Sequence, residues 1–494
     1  MEHFKPLRNY LRKFNLTSML QAIWYLANHI EFHNDLPPYL REANPFGKWD
    51  WMQLRFFLWE LDTLAREAIL HCDIERGQEV NEWRYVRDAL NKVKRTEEDA
   101  LDIEEHSVFS EMSRIAHRQF HWQQGVTHPQ LIRARKLYRH PEMDSVVRHI
   151  YGSSTEQVAQ GGFAALATYM KYFAVEPRWF ESAEKLLGND IRPIIANLTS
   201  DYETLRKSAF ETRSLNMNWA YTFNPLWLHP LISVENGNRI ICPMPGLLSR
   251  RFTNGLYFDV AGHDVNVLSA HLGPAFQSYV GEVIKVAGAG EYQIIPEERY
   301  GPKKAQKDTV DWIVQDATAS LFIEVKVLKM GVAAKTFLAP EEVVTREFKK
   351  MAKAIGQLYA TLAEALKGEY PLWKNIGQPV YPLIVSMDNW NLFTHMVQGE
   401  LDKLVIEELD RRGVDKALLE TNRFTVCSID EFEVAIQVMR QVGICQFIKG
   451  MTVGDKVGWL FSGYLRSEFS TELAKTIPLF PDEREKILPI RPAS

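Results

Sequence analysis

Asp311 stands thirteen residues before Glu324, and Lys326 follows Glu324 by two. Alternate residues of a strand project from the same face, so Glu324 and Lys326 point together. Val310, Trp312, Ile323, Val325 and Val327 flank the three charges. Charges at the edge of such an apolar core are costly unless they pair or hold a metal ion. Carboxylate oxygens are hard ligands suited to Mg²⁺, which rests on one or two carboxylates plus a phosphate. A lysine beside the ion can stabilise charge on the phosphate or orient an attacking water. Together these are the parts for metal-assisted phosphodiester hydrolysis. The plainer alternative is a solvated cross-strand ion pair. Phe322, which alternates onto the same face, and the aliphatic flanks count against it.

The surrounding pattern predicts how those residues are positioned. Thr309–Val314 and Leu321–Val327 read as strands joined by a short turn around Asp316–Ser320. That turn makes them antiparallel neighbours and can bring Asp311 beside Glu324. Pro274–Ala287 reads as a helix stopped by Gly288 and Gly290. Tyr292–Ile295 is a short strand, Glu342–Leu366 a long helix and Pro379–Val385 a last apolar strand. The order is α-β-β-β-α-β, with helices expected to flank a sheet.

Asp311, Glu324, Val325 and Lys326, set in that order of elements, resemble the PD-(D/E)xK signature of the restriction-endonuclease-like nuclease superfamily. The resemblance covers about a quarter of the chain. It implies that Asp311 and Glu324 hold Mg²⁺, for which Mn²⁺ can substitute, helped by the Val325 carbonyl. Lys326 then positions or activates water. It further implies an acid on the first helix, matched by Glu282, and a Gln or Lys on the second, matched by Gln357. Val310 stands where the signature writes proline, and Thr361 where a RecB-type QxxxY pattern would have tyrosine. The implied activity is a Mg-dependent endonuclease that favours DNA. Such cores joined to long helical regions resemble nucleases of bacterial anti-phage and restriction loci. A homodimer or a defence-system protein is the further partner implied. A different class of reading is a non-catalytic scaffold carrying a relic core, against which the intact Asp-Glu-Lys set argues.

The fold class expected is α+β. Residues 1–225 read as a helical region, with apolar spacings of three and four as in Leu61, Leu64, Ala65, Ala68 and Ile69. Residues 226–270 read as a hairpin connector, Leu231–Val234 and Arg239–Cys242, with Asn236-Gly237 supplying a type I′ turn. The nuclease core is placed at 271–400. A C-terminal extension at 401–494 carries helices at Val397–Arg412 and Ile429–Val442, a strand at Phe424–Cys427 and an extended proline-bearing tail.

Lys303, Lys304 and Lys307 lead into the Asp311 strand, and Lys350 and Lys353 lie on the second helix, so both sets are candidates for phosphate contact. Glu297 partly offsets them. A second basic stretch, containing Arg133, Arg135, Arg139 and Arg148, is a candidate guiding surface. The spacings His29-x-x-x-His33 and His117-x-x-x-His121 lack the HExxH glutamate and are set aside as metal sites. A formal charge of −5 excludes a polybasic protein whose whole surface grips nucleic acid. Four scattered cysteines without a CxxC pair suit a reducing compartment. No apolar run is long enough to span a bilayer. The protein is therefore expected to be cytoplasmic, with no membrane partner.

Overall fold

The computed structural model describes residues 4–42, 52, 55–100, 115, 118–119, 122, 128–216, 218–329, 341–390 and 395–487. His117 and His121 lie outside them. The chain divides into two units, residues 1–268 with 484–494, and residues 269–483. It is a mixed α and β protein. Among the described residues no helix is long and apolar enough to cross a membrane.

The first unit is mostly helical, as the spacing predicts. Leu16–Phe32 starts where the Asn15 side chain accepts the Ser18 N–H, and it buries Leu16, Met19, Leu20, Ile23 and Leu26. Leu58–His71 packs into the same core through Leu61, Leu64, Ala65, Ala68 and Ile69. The hairpin strands form, but not as a separate connector. β3 (Leu231–Val234) and β4 (Arg239–Ile241) join β1 (Ala174–Val175) and β2 (Thr199–Asp201) in a sheet ordered β1-β4-β3-β2. Val234 pairs with Arg239, so the loop holds four residues, with positive φ at Glu235, Asn236 and Gly237. The two-residue type I′ turn is thus replaced by a longer one. Of the second basic stretch, Arg133 and Arg135 are buried, Arg135 pairing with Glu156, while Arg148 pairs with Asp144 at 2.7 Å. His29 Nδ1 lies 2.8 Å from the Asn34 carbonyl oxygen.

The second unit carries the predicted order of elements and continues it. A leading helix, Val265–Gly288, begins before Pro274, with Asp264 capping the N–H groups of Asn266 and Val267. Then come β5 (Gln293–Pro296), a small hairpin of β6 (Arg299–Tyr300) and β7 (Lys307–Asp308), β8 (Trp312–Gln315) and β9 (Ser320–Lys326). A crossover helix, Glu341–Leu366, leads to β10 (Val380–Ser386). The chain next forms a helix at His395–Arg412, β11 (Thr425–Ser428) and a helix at Ile429–Val442. The sheet order is β11-β10-β9-β8-β5. β9, β10 and β11 run parallel, and β8 is antiparallel to both β9 and β5.

β11 makes residues up to 483 part of this unit rather than an extension beside it. The last described segment also differs from expectation. Pro481–Ile487 is helical, since proline is well suited to a helix's first position.

Candidate active site

β8 and β9 are antiparallel with Trp312 opposite Ile323. Cross-strand partners share a face, and Trp312 turns to the leading helix. Its indole N–H donates to the Gln277 carbonyl at 3.1 Å, and a Cβ on Gly281 would lie 2.2 Å from its ring. Only glycine permits that approach. By alternation, Phe322 and Glu324 face the other side of the sheet. There Phe322 packs against Tyr370 and Trp373.

Regular pairing ends at Trp312, and Asp311 continues the ladder with its side chain. The Val325 N–H donates to Asp311 Oδ2 at 2.6 Å. One residue back, the Val310 N–H donates to the buried Tyr370 hydroxyl at 3.1 Å. Along β9 itself, Lys326 Nζ sits 2.6 Å from Glu324 Oε1, with the Glu324 side chain 4% exposed and that of Lys326 30% exposed. The predicted trio is therefore brought together by two neighbouring strands: a buried Glu324, a half-buried Asp311 and a lysine that reaches solvent.

Their electrostatics follow from that burial. Burial first, and then the neighbouring Glu324 charge, push Asp311 up to about 7 despite the Val325 N–H and Lys326. Burial also raises Glu324, opposed by Lys326. A third carboxylate contributes. The negative charge of Glu297 raises both Asp311 and Glu324. Glu297 directly follows β5, its N–H donates to the Asp311 carbonyl at 2.9 Å, and its Oε2 accepts Gln277 Nε2 at 2.9 Å. In the sequence Glu297 stands out only as an offset to nearby lysines. Its place one residue past a strand, level with Asp311, is the signal that identifies it.

The remaining candidates are distributed as follows. Glu282 is half-buried on the leading helix, next to Gly281 and on the element that meets Trp312 rather than Glu324. Gln357 is exposed on the crossover helix, and its carbonyl accepts the Thr361 hydroxyl one turn on. Thr361 also lies against the Tyr370 hydroxyl, the group that accepts the Val310 N–H. Lys307 pairs with Glu364, and Lys350 lies 2.8 Å from buried Glu347. Lys303, Lys304 and Lys353 are exposed.

Two carboxylates of raised basicity beside an ammonium form an oxygen-rich donor set whose uncompensated negative charge, once both are ionised, a divalent cation would offset. No family model matches this chain, and neither a curated protein nor a solved structure does so.

Proposed function

We propose that this protein is a metal-dependent nuclease of the PD-(D/E)xK type that hydrolyses phosphodiester bonds, with DNA the favoured substrate and defence against phage the biological setting. One observation carries the reading. Glu324 is buried beside the half-buried Asp311, while Lys326 is tied to Glu324 and still reaches solvent. An ordinary surface ion pair would not bury Glu324 beside a second carboxylate.

The donor set fits Mg²⁺, which Asp311, Glu324 and the Val325 carbonyl would hold. When bound, the ion supplies Lewis-acid charge to the phosphodiester. The protein supplies the rest. Glu324 fixes the Lys326 ammonium, which faces the phosphate and orients water for in-line attack, leaving a 5′-phosphate. The Val325 N–H holds Asp311 Oδ2 and so fixes the carboxylate against β9. Tyr370 anchors the backbone just before Asp311, so the two carboxylates keep their spacing.

The test is cleavage by the purified full chain of single- and double-stranded DNA and RNA, with Mg²⁺ or Mn²⁺ and with chelator. Metal-dependent cleavage by wild type, lost in Lys326→Ala, supports the reading. Identical behaviour of the two proteins overturns it.

A further inference from the structure

The crossover helix carries like charge along its outer face. Between residues 345 and 360 its exposed side chains are Arg346, Lys349, Lys350, Lys353 and Gln357. Spacings of three and four set them on one stripe. Lys350 pairs with buried Glu347, whereas among the described residues no ion pair engages Arg346, Lys349 or Lys353. A solvated helix face is stabilised by opposite charges one turn apart and destabilised by like ones. Here Arg346 and Lys350, and again Lys349 and Lys353, are like pairs one turn apart. Such a face is unfavourable by itself and is relieved by a polyanion lying along it.

The β6–β7 hairpin continues this surface. Pro296 pairs with Trp312 and Arg299 with Asp308, so Glu297 and Glu298 on one strand face Thr309, Val310 and Asp311 on the other. Val310 is the extra residue of a bulge, and its N–H goes to Tyr370 instead of the ladder. The hairpin is therefore the strand pair of Glu297 and Asp311 carried on past a bend. It docks on the helix stripe, where Lys307 and Tyr300 both bind the Glu364 carboxylate, three turns beyond Lys353. At its tip the Ala305 N–H donates to the Pro302 carbonyl at 2.8 Å, closing a turn whose central residues are Lys303 and Lys304. Both lysines are exposed, and the hairpin's Asp308 is already taken by Arg299 at 3.1 Å.

Length and chemistry indicate the polyanion. From Arg346 to Glu364 the stripe runs about 27 Å at 1.5 Å per residue. That matches about eight base pairs at 3.4 Å each. Among the described residues neither the stripe nor the hairpin has an exposed aromatic ring. Proteins that hold single strands stack bases on such rings, so charge without rings suits the backbone of a paired helix. Both parts also spring from the site's own strands: the crossover helix follows β9, which carries Lys326, and the hairpin extends the strand of Asp311.

We propose that the outer face of the crossover helix and the Lys303–Lys304 turn together form a track for the phosphate backbone of double-stranded DNA. The proposal deepens the nuclease reading and rests on it for the choice of polyanion.

The experiment measures binding without cleavage. In chelating buffer the full chain is titrated by fluorescence anisotropy, across a salt series, with a labelled DNA duplex of about 16 base pairs, twice the stripe's length. One strand of that duplex and labelled polyglutamate are titrated alongside. Lys349→Gln combined with Lys353→Gln tests the helix, and Lys303→Gln combined with Lys304→Gln tests the turn. Lys403→Gln, at a lysine paired with Glu400 on another helix, is the control, and thermal melts verify that every variant folds. Support is tighter binding of the duplex than of the other probes, with the slope of log Kd against log salt reduced by about 1.8 in each double variant, two phosphates at about 0.9 each. The control should keep the wild-type slope. An unchanged slope in both double variants overturns the proposal, as does an equal change in the control or failure of wild type to bind the duplex. A change in one double variant alone removes the other element from the track. Single strand or polyglutamate held as tightly as duplex, and lost in the same variants, overturns the choice of partner. Unchanged slopes, with cleavage still lost in Lys326→Ala, refute the track alone. A chain that never cleaves, yet shows the reduced slopes, refutes the nuclease reading alone.

Discussion

Asp311 and Val325 are joined by a short hydrogen bond, 2.6 Å from the Val325 N–H to Asp311 Oδ2, at the point where backbone pairing of their strands stops. A side chain thus does what a carbonyl does elsewhere in the ladder, and it fixes Asp311 against the strand that carries Glu324 and Lys326.

That arrangement sets a pH dependence. Asp311 is pushed up to about 7, mainly by burial and then by Glu324. An acid held above its unfolded value stabilises the fold while protonated. Its contribution is complete below about pH 4 and is lost as pH rises through 7. In chelating buffer the wild-type melting temperature should fall across that window. Asp311→Asn should weaken the dependence, leaving the part set by the other buried acids Glu324 and Glu31, and melt several degrees above wild type near about pH 8. Added Mg²⁺ should raise the wild-type melting temperature and leave the variant unmoved. Calorimetry from acid to neutral pH checks this, and parallel curves for the two proteins would contradict it.

Lys326 should be irreplaceable even by another cation. Its ammonium is a compact charge placed by Glu324, and a planar guanidinium would occupy that space differently. Lys326→Ala and Lys326→Arg should each lower single-turnover cleavage by about 100-fold or more. Retention of wild-type rates by the arginine variant would remove lysine's specific role.

Glu297 acts on the other two carboxylates through its charge. Its removal in Glu297→Gln should lower the basicity of Asp311, because Glu297 raises it. Activity that needs ionised Asp311 should then persist to lower pH, the acid limb of the rate profile moving down by roughly half a pH unit. An unmoved or upward-shifted limb would show that Glu297 does not reach the site electrostatically.

Gly281 supports the opposite face of the same strand. An added methyl would lie 2.2 Å from the Trp312 ring, so Gly281→Ala must displace either the indole or the helix. The expected cost is about 1–3 kcal/mol in denaturant unfolding. A neutral result would mean that the helix shifts freely.

These particulars show what could be read from residues alone. The strands around Asp311 and Glu324 announce themselves by alternation, and the crossover helix by its apolar stripe, so the local frame of the site is legible. The helix at Ile429–Val442 also matches its pattern, including its limits. The partner of Phe424–Cys427 is not legible. Its pairing with β10 spans some forty residues, and nothing local distinguishes a sheet strand from a strand in an extension. Glu297 is legible only as an offset to nearby lysines, because an exposed acid after a short edge strand looks like any solvated charge. The hairpin shows a different limit, since Asn-Gly signals a turn but not its length.

The tie between Val310 and Tyr370 bears on the order in which the molecule is assembled. The β8–β9 hairpin is local, yet the backbone leading into Asp311 is held by a hydroxyl sixty residues later, beyond the crossover helix. Contacts that distant form only after the intervening chain has been placed. During synthesis, therefore, both carboxylates emerge well before the group that sets their spacing, and a chain interrupted before residue 370 carries the reactive residues without the tether that aligns them.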